Sequence, residues 1–166
     1  MKLTEVAQHK KLGSYAGARY SSKSNSDIQQ YIQKANIPNG VEPDSLHTTI
    51  LYSTKHLPEF EPKGKYDPTI KATPIDIDVW PSQPDDNGHV NNCLVLKLSA
   101  PDLVARHESL MDEHNATYSF DEYIPHVTLS YDIGDMDHKT LPKFTKQLEI
   151  VEEYGEELNT DWVNTK

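Results

Sequence analysis

The sequence predicts an α+β fold built from two similar halves, and two observations lead to this prediction. The order strand, helix, strand occurs twice along the chain, and the second strand of each half contains the pattern His-x-Thr. Such an internal echo indicates two similar lobes that face each other, with antiparallel strand pairing. A length of 166 residues suits one domain, so residues 1–166 are expected to form a single, two-lobed domain.

The first half begins with a predicted strand at residues 13–20, where glycines punctuate small and aromatic side chains. Residues 26–29, Ser-Asp-Ile-Gln, resemble a capping box, and apolar residues then recur at helical spacing. This pattern predicts a helix that starts at Ser26 and is followed by a stop signal at residues 39–40, Asn-Gly. Residues 46–53 are rich in strand-forming side chains and predict the next strand.

The segment between the halves contains a loop and two strands. Residues 55–69 hold three prolines and a glycine, which predict a loop. Residues 70–80 alternate in polarity and predict a strand, and residues 93–98 form a second apolar run. The polar residues 83–92 between these two runs are therefore predicted to form a turn.

The second half repeats the pattern of the first. Residues 99–114 predict a helix capped by Ser99, and residues 123–131 predict a strand. The spacing of Leu141, Phe144 and Leu148 predicts a last helix, and a closing strand is expected at residues 149–158.

Composition limits the classes of ligand. The chain carries 26 acidic and 16 basic residues, a formal net charge of −10. This balance argues against binding to long nucleic acid, because such binding requires many lysines and arginines to neutralise phosphates. A small anionic ligand held in a local pocket remains compatible with it.

Cysteine content and hydropathy bear on the cellular setting. The single cysteine, Cys93, allows neither an internal disulfide nor a thiolate zinc site, and it favours a reducing, cytoplasmic setting. No apolar stretch follows Met1 as in a signal peptide, and no run approaches the ~20 residues that span a bilayer. The sequence therefore predicts no membrane partner.

The two His-x-Thr patterns supply the candidate catalytic residues. Side chains alternate across a strand, so His47 shares a face with Thr49, and His126 shares a face with Thr128 and Ser130. The opposite face of the second strand is apolar, as a strand that lines a cleft requires. If the two strands meet across a cleft, two imidazoles and two hydroxyls surround one small volume.

This set of groups suits the cleavage of a phosphodiester. A neutral imidazole can deprotonate the attacking oxygen while an imidazolium protonates the leaving oxygen. Threonine hydroxyls can donate to the non-bridging phosphoryl oxygens. The chemistry requires no metal or other cofactor. The alternative is that each histidine is structural, as a single histidine on a strand usually is, but two copies in matching contexts favour catalysis.

The paired motifs Leu46-His47-Thr48-Thr49-Ile50 and Pro125-His126-Val127-Thr128-Leu129 resemble the duplicated motif of the 2H phosphoesterase superfamily. The chain is most similar to the bacteriophage anti-CBASS branch of that superfamily, through residues 13–20, 46–53 and 153–162. The resemblance implies a two-lobed fold with antiparallel sheets, a pseudo-twofold axis and helices packed outside. It also implies that the two histidines act as acid and base and that the threonines bind phosphate.

The resemblance further implies that aromatic residues sandwich the bases of the substrate and that an acidic residue near the C-terminus reads one base. By position these residues are Tyr15, Trp80 and Glu153. The residues alone leave alternatives open: Tyr15 packs in an ordinary strand, Trp80 covers the edge of the core, and Glu153 belongs to a solvated acidic run. Within that run, Glu152 and Glu156 compete with Glu153 for the same role.

Other polar residues are interpreted from their context. Arg19 is either a phosphate neighbour or a partner in a surface salt bridge. His107 and His114 lie seven residues apart on one predicted helix, roughly 10 Å along its axis, which is too far for shared metal ligation. Both are therefore interpreted as structural.

The resemblance implies a phosphodiesterase that hydrolyses 3′–5′ bonds of cyclic di- or trinucleotides, the second messengers of CBASS antiphage signalling. The expected partner is this small-molecule substrate, in the cytoplasm of a bacterial host if a phage encodes the chain. Two alternatives stay open. One is another 2H activity, on 2′,3′-cyclic phosphates or 2′–5′ oligoadenylate, and the other is a nucleotide sponge that binds without cleaving.

Overall fold

The computed structural model describes residues 12–116 and 122–159. Within these residues the strands are β1 (Leu12–Tyr20), β2 (Thr48–Ser53), β3 (Gly64–Pro81), β4 (Asn92–Ser99), β5 (His126–Ser130) and β6 (Leu148–Asn159). The helices are α1 (Ser22–Lys34) and α2 (Pro101–His114), together with short 3₁₀ turns at Pro43–Ser45 and His138–Thr140.

The strands form a six-stranded sheet in the order β2-β1-β6-β3-β4-β5, and each neighbouring pair is antiparallel. Strand β3 is 18 residues long and joins the two halves, because its first part pairs with β6 and its second part pairs with β4. Although β2 and β5 end the strand order, their Cα atoms approach within 8 Å. The sheet therefore curves until its two edge strands face each other.

The predicted fold class is confirmed. The order β1-α1-β2 in the first half is repeated as β4-α2-β5 in the second half. The core lies between the sheet and the two helices. Its largest completely buried apolar side chains are Ile28, Ile50, Leu51, Leu94, Leu96, Leu98, Leu103, Leu110, Leu129, Leu148 and Ile150. No helix among the described residues is long and apolar enough to cross a membrane.

Helix α1 begins four residues before the predicted start. The hydroxyl of Ser21 accepts a hydrogen bond from the Ser24 amide at 3.1 Å, which caps the helix at Ser22 instead of Ser26. Buried Ile28 and Ile32 face the sheet as the predicted spacing requires. The prediction for Ser99 as the cap of α2 is also wrong, because Pro101 starts that helix and Ala100 precedes it without a side-chain cap.

The helix predicted from Leu141, Phe144 and Leu148 is absent. Pro142 interrupts this segment, and proline removes a backbone donor and disfavours a helical residue before it. Phe144 is instead buried against the Tyr31 ring at a centroid distance of 5.4 Å, and Leu148 starts β6. Tertiary packing of an irregular segment therefore produced the apparent helical spacing.

Candidate active site

The two motif histidines are held in the same way in both halves. Nδ1 of His47 lies 2.7 Å from the Ser45 carbonyl oxygen, and Nδ1 of His126 lies 2.9 Å from the Ile124 carbonyl oxygen. Because a carbonyl only accepts hydrogen bonds, Nδ1 carries the proton in each ring. In the neutral form, Nε2 of each histidine is therefore an unprotonated base.

The two histidines are close enough to interact electrostatically. Burial lowers the pKa of His126, and the charge of His47 lowers it further, while the hydrogen bond to the Ile124 carbonyl acts in the opposite direction. The net pKa of His126 lies below its usual value of 6.5. His126 is therefore mostly neutral near pH 7.

Thr49 lies on β2 beside the first histidine and contacts β1. The Tyr15 hydroxyl lies 3.0 Å from Thr49 Oγ1, and the two strands pair so that Gly17 is opposite Thr49. Tyr15 is 8% exposed, and its ring contacts the rings of His47, Tyr52 and Tyr154. Burial is the largest cause that raises the pKa of Tyr15, so the phenol stays protonated and can fix the threonine hydroxyl.

Trp80 contacts the second histidine. Its ring meets the His126 ring edge-on, with a centroid distance of 4.5 Å. The indole Nε1–H donates to Asp78 Oδ2 at 3.2 Å, which helps to fix the ring orientation. Thr128 lies two residues after His126 on β5, so both side chains share the face of the sheet toward which Trp80 projects.

A cavity of about 580 Å³ opens beside His47. Its lining consists of Tyr15, Arg19, Asp44, Ser45, His47, Thr49, Tyr52, Tyr131, Tyr154 and Glu156. Four tyrosines supply aromatic surface, and a guanidinium and two carboxylates supply polar groups. A second cavity, of about 690 Å³, lies between β3 and the segment before β6 and contains neither motif histidine. The chemistry therefore favours the smaller cavity as the site.

Comparison with known proteins decides the family. Residues 12–165 match the family model described as Anti-CBASS protein Acb1. The chain belongs to the Acb1 family. An Acb1 protein of Vibrio phage KVP40 is 33% identical over 163 residues, which cover 98% of this chain and 97% of the relative. The Acb1 protein of Enterobacteria phage T4 is 29% identical over 152 residues, with 92% of each chain covered.

Solved structures support the same fold. The structure of E. coli LigT in complex with 3′-AMP has a TM-score of 0.58, 15% sequence identity and 86% coverage of both chains. A structure described as a phosphoesterase gives a TM-score of 0.57 at 15% identity, again with 86% of both chains covered. The predicted relationship to the anti-CBASS branch is confirmed by the family match, and the chain shares the fold of these two solved structures. The family to which the chain belongs is described as anti-CBASS proteins.

The structure corrects the position expected for the acidic site residue in this Acb1 family member. Glu153 is 1% exposed, and its carboxylate binds the Arg106 guanidinium through two hydrogen bonds of 2.9 Å. The Lys63 amide and the Tyr66 hydroxyl each donate to it at 2.8 Å. Burial raises the pKa of Glu153, but these hydrogen bonds outweigh burial and hold the pKa below its usual value. Glu153 is therefore part of a buried structural ion pair.

The acidic residue of β6 that lines the cavity is Glu156. Tyr154 and Glu156 pair with Gly17 and Tyr15 on β1, respectively, so both lie on the cavity face of the sheet. Glu153 is one residue before Tyr154 and consequently points to the other face. Alternation along a strand places Glu153 and Glu156 on opposite faces of the sheet. Which of the two faces lines the cavity is known only from the register of β6 against β1.

Sequence reasoning also missed the other tyrosines of the cavity. The Tyr154 ring lies directly over Gly17, where an added Cβ would be 2.6 Å from the ring carbon Cζ. A glycine opposite a tyrosine is a signal of such close approach, but the two residues are 137 positions apart and their pairing needs the fold. Tyr52 lies on β2, three residues after Thr49, and Tyr131 directly follows β5 and is 52% exposed.

Ser130 does not share the site with His126 and Thr128. A bulge between Leu94 and Val95 shifts the register of β4 against β5. Ser130 is consequently buried, and its hydroxyl donates to the Pro38 carbonyl at 2.6 Å.

His107 is buried as well, with Nδ1 2.8 Å from the Ile50 carbonyl oxygen. In residues 12–116 and 122–159, no three His, Cys, Asp or Glu side chains group as metal ligands.

Proposed function

We propose that this protein cleaves 3′–5′ phosphodiester bonds of cyclic di- and trinucleotides without a metal, and so disables CBASS signalling in the cytoplasm of an infected bacterium. The observation that carries the proposal is the matched pair of histidines. Each imidazole donates Nδ1–H to a carbonyl two residues earlier, which leaves Nε2 for proton transfer. Relatives encoded by phages and named anti-CBASS proteins support the biological setting.

The lowered pKa of His126 favours this residue as the general base. In the proposed reaction, Nε2 of His126 takes the proton of the ribose 2′-hydroxyl, and the 2′-oxygen attacks the adjacent phosphorus. His47, as imidazolium, donates a proton to the departing 5′-oxygen. The P–O5′ bond breaks, and the product is a 2′,3′-cyclic phosphate that water then opens.

The two threonines stabilise the charge that develops on the phosphoryl group. Hydroxyl groups of Thr49 and Thr128 are proposed to donate to the non-bridging oxygens, as preorganised donors do in other sites of acyl and phosphoryl transfer. The contact between Tyr15 and Thr49 supports this role, because it fixes the hydroxyl before substrate binds.

Recognition of the bases is assigned to aromatic and acidic residues around this centre. Trp80 is proposed to stack with one base beside His126, and Tyr15 contributes to the aromatic wall on the opposite side. Stacking on an aromatic side chain is worth ~1–3 kcal/mol per base. Glu156 takes the base-reading role that the sequence suggested for Glu153, since it lines the cavity.

The test is incubation with a panel of cyclic di- and trinucleotides in EDTA, with product analysis by chromatography. Ring opening at a 3′–5′ bond is the expected result. A ring with both 2′-hydroxyls replaced by hydrogen should bind but stay intact, and a mixed-linkage ring should open at its 3′–5′ bond alone. Cleavage of the deoxy ring at the normal rate would show that water attacks directly. Binding without cleavage of any ring would identify a sponge.

A further inference from the structure

Each motif histidine lies at the end of a row of three side chains that crosses three adjacent strands. In the second half, His126 on β5 pairs with Lys97 on β4, and Lys97 pairs with Asp76 on β3. Paired residues of an antiparallel sheet project from the same face. The row therefore has the order histidine, cation, carboxylate, and it extends outward from the centre of the site.

The first half contains an equivalent row. Gly17 and Ala18 pair with Thr49 and Thr48, so continuation of the same register places Arg19 of β1 opposite His47. Arg19 in turn pairs with Glu152 on β6, and Nη1 of Arg19 donates to Glu152 Oε1 at 2.7 Å. The same order of histidine, cation and carboxylate thus appears on both sides of the pseudo-twofold axis.

The Arg19 and Lys97 side chains are oriented by their surroundings but keep N–H groups that can donate to a ligand. The Arg19 guanidinium lies 3.9 Å from the centroid of the Tyr154 ring, which holds it at the cavity wall. Nζ of Lys97 lies 3.7 Å from Asp78 Oδ2 and 3.9 Å from Asp76 Oδ2, and both distances exceed a hydrogen bond. Within the described part of the chain, the Lys97 ammonium forms no hydrogen bond.

We propose that Arg19 and Lys97 form two outer phosphate sites, one on each side of the scissile phosphate, for the ring phosphates that are not being cut. The inference rests on the proposed function, since it requires a substrate with more than one phosphate. The strands that carry the cations lie one strand spacing, ~4.8 Å, outside those that carry the histidines. Long cationic side chains at these positions are placed to meet the phosphates that flank the central one.

Charge balance supports the assignment. With a net charge of −10, the protein as a whole repels a polyanionic ring, so attraction has to come from local cations. Among the described residues that line the cavity, Arg19 is the one lysine or arginine. Its pair with Glu152 is half-exposed, and exposed ion pairs are weak enough for a phosphate to compete for the guanidinium.

The experiment combines charge-removing variants with a charge-removing change in the substrate. Steady-state kcat and KM are measured for the wild type, Arg19→Gln and Lys97→Gln with a cyclic dinucleotide and with its analogue in which one phosphate is a neutral methylphosphonate. Lys71→Gln is the matched control, because Lys71 forms a similar surface pair with Glu149 outside the cavity. Arg19→Lys and Lys97→Arg test rescue by a conserved charge.

For the wild type, neutralising the second phosphate should raise KM by about 10- to 100-fold, the range expected for one charged hydrogen-bonding partner, with little change in kcat. In at least one of the two glutamine variants, KM for the intact ring should rise by a similar factor. In that variant, the methylphosphonate should cause little further rise in KM. Lys71→Gln should behave as the wild type, and the charge-conserving variants should recover most of the affinity.

Two results would overturn the inference. The first is a methylphosphonate effect of equal size in the wild type and in both glutamine variants. The second is a fall in kcat with unchanged KM, which would assign the cations to the scissile phosphate. Absence of turnover of the intact ring by the wild type would instead contradict the proposed function itself.

Discussion

Replacement of Glu153 by glutamine separates the structural role seen here from the substrate contact expected from the sequence. The carboxylate is buried and accepts four hydrogen bonds, two of them from Arg106, whose side chain is 12% exposed. Glutamine has one acceptor oxygen, and its amide group would face donors. Breaking a buried ion pair from one side costs about 3–5 kcal/mol, because the remaining charge stays uncompensated. For a chain of this length, that corresponds to a melting temperature lower by about 6–20 °C.

The assay is thermal unfolding followed by circular dichroism near pH 7, with Glu152→Gln and Glu156→Gln as matched controls on the same strand. Both controls should melt within a few degrees of the wild type, because neither carboxylate is buried in an ion pair. The folded-state pKa of Glu153 lies below its ordinary value. Its contribution is therefore present at neutral pH and is lost as pH falls through the folded-state pKa. A Glu153→Gln variant that melts like the wild type but binds substrate poorly would refute this reasoning.

Two further predictions concern the walls of the site. Trp80→Ala should raise the pKa of His126 toward 6.5, because burial is the largest cause of its lowering. If His126 is the base, the acid limb of the profile of kcat/KM against pH should then move to higher pH. An acid limb that does not move would argue against His126 as the base. Gly17→Ala should raise KM, because the added Cβ would lie 2.6 Å from Cζ of Tyr154 and would push that ring out of its place in the cavity wall. The same change in a Tyr154→Ala background should have little added effect on KM. Equal losses in both backgrounds, measured by steady-state kinetics, would exclude this explanation.

The repeated strand–helix–strand order and the His-x-Thr strands were accessible from the sequence because they depend on local alternation and spacing. His47 and His126 each lie in a motif flanked by apolar residues, so both can be recognised before the fold is known. The interaction between them depends on the curvature that brings β2 and β5 together. That curvature arises from long-range pairing through β3, which leaves no local signal.

The position of Glu153 shows why the rest required the structure. Its acidic neighbours indicate a solvated run, yet its partner Arg106 lies 47 positions earlier on another element. A similar limit applies to Ser130, because the bulge that turns it inward is a property of two paired strands. The helix predicted at residues 141–148 was wrong for a reason visible in the sequence, because Pro142 conflicts with a helix interior.

The proposed acid–base chemistry depends on two symmetrically held histidines, His47 and His126. Its most direct test is the turnover of a 3′–5′-linked cyclic dinucleotide in EDTA by His47→Ala, His126→Ala and the double variant. Each single change should lower kcat by roughly 10²–10⁴-fold, the usual contribution of general acid–base catalysis, and the double change should cost less than the sum of the two because the pair acts as a unit. Near-normal turnover by either folded single variant would contradict the account.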